Sequence, residues 1–413
     1  MKQRIADLCD RFEKDVIAIR RALHRVPEAS FAEKKTQALV ASYLKRACID
    51  FKPAAKTGLS GLITPSRGGA ARKGLRTVGI RADMDALNLT ERTGLPFASR
   101  NRGYMHACGH DAHMAILLGA GMVLKSLGKD LPGNVRLIFQ PAEETPPGGA
   151  LGMIKAGVLD RPKVGAVLGF HVEPAIAAGK VGFLPGPISA AADDFNVKIV
   201  GRAGHGSTPH RGLDAILVAA HFVTAVQAVV SRRVSALDDV VVSVGTIHGG
   251  ARHNIIAESV EMEGTIRTRS ARLRREVPAM VKQVLDGTCA AFGAKGEFEF
   301  VKGYPAVICD EGLTESARGW CKEVLGKARV VTGPGFEMGG EDFAYYAEKV
   351  PGTEIFIGVS NPRKGKSSQL HKPEFDIDED ALKVGLMAVA YSAYCYLERG
   401  IERGIKSPAG TCR

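Results

Sequence analysis

Beyond about residue 76, short runs of β-branched and aliphatic residues alternate with segments of helical period, and this alternation constrains the fold more than any other feature of the chain. Thr77–Ala82, Val135–Phe139 and Gly165–Phe170 read as strands, with helices over Asp111–Leu127 and Ala150–Ala156 between them. Such an order builds a layered α/β core with helices on both faces of the sheet. Ahead of it, apolar positions recur at three and four residues from Lys2 to about Ala47, predicting two helices split at Val26-Pro27-Glu28.

Past Phe183-Leu184-Pro185-Gly186-Pro187 the order changes. Strand (Asp194–Val200), long helix (Leu213–Val230), strand (Val240–Ile247), strand (Ser259–Thr268) and helix (Leu273–Phe292) follow one another, the order of a small open-faced α+β sandwich. An inserted domain is therefore expected at 188–300, with 1–187 and 301–413 forming the first domain, and 413 residues suit two domains. Hydrophobic residues at 45% and charged residues at 24% allow a buried core and exclude a disordered chain. Eight cysteines are scattered without a CxxC pair, which argues against a disulfide scaffold or zinc ribbon and for reduced, buried thiols.

No basic start followed by an apolar block opens the chain, and Ala215–Val230, broken by His221, Thr224 and Gln227, falls short of the ~20 apolar residues of a membrane span. A soluble, cytoplasmic protein with no membrane partner is expected. The net charge of +12 gathers in the loop Ser66–Gly74 and in Arg267–Arg275. Neither patch interleaves aromatics on which bases could stack, so both read as solvated charge runs and no nucleic-acid partner is expected.

The sharpest local signal is His106–His113, three histidines and a cysteine in eight residues just ahead of an apolar helix. Thiolate and imidazole suit zinc and other borderline divalent metals, although a Cys-x-His pair alone also fits an ordinary helix start. Glu143 and Glu144 follow a strand and Pro141, where neighbouring residues point in opposite directions, so one carboxylate can ligate while the other projects into the cleft. His171 is expected at the end of its strand, and His371 lies in a loop ahead of Pro373. Parallel strands open their carboxyl ends on one edge, where α/β proteins place their sites, and Glu143, Glu144 and His171 all come just after strands in this reading.

Seven motifs carry a resemblance: Arg81-Ala82-Asp83-Met84-Asp85-Ala86-Leu87, the His106–His113 block, Gln140-Pro141-Ala142-Glu143-Glu144, Gly204–His210, Gly264–Thr268, Gly340–Tyr346 and Leu370-His371-Lys372-Pro373. In this order, over nearly the whole chain, they resemble the M20 metallopeptidases, and within them the amidohydrolase subfamily that includes hippurate hydrolases and auxin-conjugate hydrolases. The resemblance implies a dinuclear metal site with Cys108, His110, Glu144, His171 and His371 as ligands and Glu143 as general base. It implies that Asp83 is an acid steadying the site, the alternative being a capped strand end. His205 resembles a lid histidine that reaches the active site, in dimeric members that of the neighbouring subunit, to stabilise the developing oxyanion; the alternative is a histidine in a Gly-rich turn. Asn254 and Arg267 fall at lid positions that could hold the substrate's carboxylate, and 188–300 resembles a lid and dimerisation domain. Gly339, Gly340 and Glu341 shape the pocket wall and take no catalytic role.

Arg81 and Cys108 depart from the wider family's aminopeptidases and deacylases, which place His and a bridging Asp there, and the amidohydrolase subfamily shares both changes. A thiolate at the bridge leaves manganese, zinc, cobalt and nickel open as the two divalent ions. The activity implied is metal-dependent hydrolysis of the amide of an N-acyl amino acid, of hippurate or N-acetyl type, by a metal-activated water. A dipeptidase or carboxypeptidase with the same centre is the alternative, differing in what fills the acyl pocket. From other classes come a Cys108 nucleophile, whose activity would survive a chelator, and a metal-binding protein without catalysis. Glu143 beside Glu144 speaks against the last, since a base is superfluous where metal only holds the fold. The expected partners are a small-molecule substrate and further copies of the chain in a homodimer or higher homo-oligomer.

Overall fold

The computed structural model describes residues 1–66 and 74–402, so the basic run over 67–73 and Cys412 lie outside it. Helices α1 (Lys2–His24) and α2 (Lys34–Arg46) open the chain. Ile5, Cys9, Val16, Ile19 and Leu23 form the buried stripe of α1, and Pro27 follows two residues past its cap at Arg25. Strands β1 (Asp50–Ala54) and β2 (Gly58–Ile63) pair as a hairpin. Then come β3 (Thr77–Asp83), α3 (His110–Ser126), β4 (Asn134–Gln140), α4 (Ala150–Lys155), β5 (Ala166–Ala177) and β6 (Val181–Phe183). Every residue of β3 is buried, as a strand covered on both faces requires. Strand β5 departs from the sequence reading. Its pairing with a later parallel strand continues from Val167 to Ala177, so His171 lies within the strand rather than at its end.

One compact unit spans 189–307 together with 336–341. It holds β7 (Ala191–Val200), α5 (Ala215–Ala225), β8 (Val240–Gly249), β9 (Ser259–Thr268), α6 (Ala271–Phe292) and β10 (Lys295–Tyr304). The sheet order is β8-β9-β7-β10, antiparallel throughout, and Phe195, Val197 and Ile199 meet Val218 and Phe222 of α5 and Val277 and Leu285 of α6 in its core. The sequence reading has no counterpart for β10, an edge strand that carries the unit past residue 300. The helical run Ala215–Arg233 is long and apolar enough, by length and composition, to cross a membrane, contrary to expectation. A third of its most apolar window is buried, where Ala215, Val218, Ala219, Phe222, Val226 and Val229 enter the unit's core.

The other unit takes 1–188, 308–335 and the chain from 342 onward. It is completed by α7 (Glu311–Leu325), β11 (Val330–Thr332), β12 (Gly352–Ser360) and α8 (Asp380–Arg399). Its eight-stranded mixed sheet runs β1-β2-β4-β3-β5-β12-β6-β11, with β4, β3, β5 and β12 mutually parallel. Helices α1, α3, α7 and α8 share one core with it, built from residues such as Val16, Leu117, Trp320 and Val389. The cysteines of the described residues are free thiols, buried except for Cys48.

Candidate metal centre

Adjacent parallel strands β3 and β4 end together, Asp83 opposite Gln140, and the loops beyond them carry the chemistry. Between these strands, Cys108-Gly109-His110 turns the chain into α3. Gly109 has φ 86°, and a Cβ there would come within 2.4 Å of Val172 Cγ2, so only glycine fits this turn. After β4 the chain turns again at Ala142, φ 53°, which delivers Glu143 and Glu144.

The imidazoles are oriented by their far nitrogens. His110 Nδ1 meets the Asp85 carbonyl oxygen at 3.0 Å and His171 Nδ1 the Val172 carbonyl at 2.8 Å. A carbonyl only accepts, so each Nδ1 carries the proton and each Nε2 offers a lone pair. His171 Nε2 lies 3.5 Å and His371 Nε2 3.4 Å from Cys108 Sγ, while Glu144 Oε1 is 3.4 Å from His371 Nε2 and 3.8 Å from His110 Nε2. The donors thus fall into two triads, Cys108/His110/His171 and Cys108/Glu144/His371, that share the sulfur, and Glu143 groups with His110 and Glu144.

Donors on one tetrahedral ion at ordinary bond lengths stand about 3.3–3.8 Å apart, the spacing of the Cys108–His171, Cys108–His371 and Glu144–His371 pairs. His110 Nε2 and Glu144 Oε1 are buried and have no hydrogen-bond partner among the described residues, an arrangement that a cation would satisfy. Burial, with Glu144 and Glu143 close by, pushes the Cys108 thiol well above its usual range. Burial pulls His110 down, but Asp83 and Asp85 outweigh it and raise the imidazole to about 10. Excess negative charge of this kind suits divalent ions, which reverse both effects by deprotonating their ligands. The five residues expected as ligands are therefore brought together, and the donor set fits the two ions.

Asp83 is fully buried. Arg81 donates to its Oδ2 at 2.8 Å, and His113 Nδ1 lies 2.6 Å from its Oδ1. Burial would raise its pKa, yet His110, His113 and Arg81 hold it well below the usual carboxylate range. His113 Nε2 in turn accepts the Val172 amide at 2.9 Å, which ties Asp83 to the backbone beside His171. His106 joins no ligand set; burial holds it down to about 4, and neither ring nitrogen finds a partner among the described residues. Sequence reasoning gave no role to His113, Asp85 or Glu33, all buried around the centre.

Three expected residues lie in the unit of 189–307. His205 sits on a two-residue strand paired to Ile255-Ile256, and its Nδ1 accepts the Ser207 amide at 3.1 Å and meets the Ser207 hydroxyl at 2.7 Å. Asn254 is next to that pair, its carbonyl accepting the Gly206 amide. Arg267 donates from Nε to Thr265 Oγ1 at 3.1 Å, and no carboxylate pairs with it among the described residues. Gly340 packs beside it, since a Cβ there would stand 3.5 Å from an Arg267 terminal nitrogen.

Comparison with known proteins bears on all of this. Residues 79–394 match the family model described as Peptidase family M20/M25/M40. The N-acetyl-L-cysteine deacetylase of Bacillus subtilis is 41% identical over 372 residues, covering 90% of this chain and 85% of that protein. Thermostable carboxypeptidase 1 of Saccharolobus solfataricus is 35% identical over 398 residues, 94% of this chain and 98% of that one. A Bacillus subtilis protein solved as a dinuclear metal binding peptidase from the M20 family is similar with a TM-score of 0.80 at 34% identity, covering 94% of this chain and 99% of that chain.

Proposed function

The chain belongs to peptidase family M20/M25/M40, and from that premise we propose that it hydrolyses the amide bond of N-acyl amino acids of hippurate or N-acetyl type, releasing a carboxylate and a free amino acid. The observation that carries this reading is the Cys108 sulfur common to two ligand triads, with the Glu143 carboxylate grouped beside them. Two divalent ions bound to Cys108, His110, Glu144, His171 and His371 would supply an acidified water and a polarised scissile carbonyl. Glu143 takes the proton of the attacking water and delivers it to the leaving amine nitrogen. Asp83 steadies the centre through His110 and His113, which it meets at 3.7 Å and 2.6 Å.

His205 is assigned to the oxyanion. Because its Nδ1 accepts from the Ser207 amide, Nε2 carries the proton and can donate. Asn254 and Arg267 are assigned to the substrate's carboxylate, for which a guanidinium without an acidic partner among the described residues is suited. A thiolate common to both donor triads would suit zinc, cobalt or nickel, and the carboxylate Glu144 keeps manganese beside them as a candidate. An oxidisable thiolate at that position also supports the cytoplasm as its place of work. A homodimer is supported by apolar residues exposed on α5 and β8, among them Ile216, Leu217 and Ile247.

The carboxypeptidase reading is favoured by similarity to the Saccharolobus solfataricus protein. One experiment separates the two: metal-stripped protein is reloaded with each ion and offered N-acetyl, N-benzoyl and N-indolylacetyl amino acids beside dipeptides. Metal-restored cleavage of the acyl amino acids is the expected result. Cleavage of peptides alone would transfer the assignment to the carboxypeptidase or dipeptidase reading, and full activity in the stripped protein would overturn both.

A further inference from the structure

Three successive backbone amides in the loop after β4 are taken up by two buried carboxylates that lie far away in sequence. Ala142 donates to Glu33 Oε1 at 2.8 Å, Glu143 to Asp85 Oδ1 at 3.0 Å and Glu144 to Asp85 Oδ2 at 3.0 Å. In an extended strand consecutive amides point to opposite sides. Here Ala142 has φ 53°, a left-handed conformation that a non-glycine residue adopts only when its surroundings impose it, and the amides beyond it converge on one acceptor.

Asp85 is fully buried, and Ser30 Oγ donates to its Oδ2 at 2.7 Å. Its own carbonyl oxygen meets His110 Nδ1 at 3.0 Å. One residue therefore touches the backbone of Glu143, the backbone of Glu144 and the ring of His110. These contacts go to the main chain of the reacting residues themselves, so a shift of Asp85 is passed to the Glu143 carboxylate without an intermediary.

We propose that Asp85 is a positioning residue of the hydrolysis: its carboxylate clamps the Glu143 and Glu144 amides so that neighbouring side chains serve different ends, Glu143 aimed as base and Glu144 as ligand, while Glu33 holds Ala142 in the turn that makes this possible. The proposal rests on the assignment of Glu143 as base. It also accounts for a buried acid that stands outside the candidate donor groups: an amide in its place can accept from one N–H but presents its own NH₂ to the other.

The test compares Glu143→Gln, Asp85→Asn and Asp85→Glu in the cobalt-loaded enzyme, reading kcat, KM, metal content and the visible cobalt spectrum. Misplacing a reacting group by about 1 Å costs on the order of 100-fold in rate. Asp85→Asn is expected to lower kcat about 100-fold, to leave KM within about threefold and metal content unchanged, and to shift the cobalt bands as Glu144 turns. Asp85→Glu keeps the charge and the hydrogen bonds but moves them by one methylene, so it guards against a misfolded Asp85→Asn. It is expected to lose about tenfold in kcat with the metals retained. Wild-type kcat and spectrum in the Asp85 variants overturns the proposal, as does a loss confined to thermal stability. An active Glu143→Gln would instead overturn the base assignment on which the proposal rests, and the two failures are told apart by which variant retains turnover.

Discussion

Glu143 and Cys108 stand close together and fail differently when removed. Glu143 groups with His110 and Glu144, but neither sulfur-sharing triad needs it. Glu143→Ala is therefore expected to keep its metal and lose about 10²–10⁴ in kcat, the usual worth of a positioned base. Cys108 belongs to both triads, so Cys108→Ala should lose at least one ion per chain by elemental analysis, and activity with it. Full occupancy and intact activity in both variants would remove the site assignment. His205→Ala carries a separate expectation: kcat falls, by about 10²–10³ for a lost oxyanion donor, with metal content unchanged. Wild-type rates there would return His205 to an ordinary histidine in a Gly-rich turn. At this scale cysteine, histidine and paired glutamates beside apolar runs marked candidate donors, and only the order of the seven motifs joined them into one expected ligand set. What holds them was not legible. Asp85 reaches Glu143 and Glu33 reaches Ala142 across 58 and 109 residues of chain, and carboxylate-to-backbone bonds of that kind leave no periodic trace in sequence.

Between elements, α1 is fastened to α3 by buried charge as well as by apolar packing. Arg20 donates to Asp111 at 2.7 Å, and His24 lies between Asp111 at 2.7 Å and Glu91 at 3.2 Å. Burial pushes the Glu91 carboxyl up, but hydrogen bonds from His24, Thr93 and the Ser99 amide outweigh it and hold it at about 2. Burial likewise pulls His24 down, and Asp111 with Glu91 more than reverses this. A depressed carboxyl contributes stability that is present above its unfolded value near 4.5 and fades as the pH falls toward 2. A raised imidazole contributes stability that is complete below its unfolded value near 6.5 and is lost as the pH climbs through the folded one. The pair is thus fully effective from about pH 4.5 to 6.5. Glu91→Gln is expected to cost about 3 kcal/mol there, the low end for breaking a buried pair, and the gap between mutant and wild-type denaturation midpoints should narrow on both sides of that window. A gap independent of pH would show that Glu91 acts by packing alone. Periodicity foresaw α1, α3 and β4, where one face or all faces are apolar, but it stopped β5 at Phe170 and passed over β10. Glu297-Phe298-Glu299-Phe300 alternates as a half-exposed edge strand should, and partners distant in the chain decide how far such strands run.

For the whole molecule, the change in element order near Pro187 led to an expected insertion over 188–300, while the compact unit takes 189–307 and 336–341; association with a second copy is a matter of surface, which composition does not reveal. The helix α5 buries Val218 and Phe222 in its own unit yet leaves Ile216 and Leu217 47% and 48% exposed. Strand β8 is an edge of its sheet and exposes Ile247 at 51%. An apolar helix flank beside an unpaired strand edge invites aggregation unless something regular covers it, and a twofold copy of the same surface covers both at once. The protein is therefore expected to sediment at twice its chain mass. Ile216→Lys with Leu217→Lys should bring it to the mass of one chain, because two lysines would face their own copies across the axis, while the buried side of α5 and the unit's core are untouched. Metal content should stay at the wild-type value, since none of the five ligands lies in this unit. A wild-type protein that sediments as a single chain, or a double variant that remains paired, would show that this surface is not the one that joins two copies.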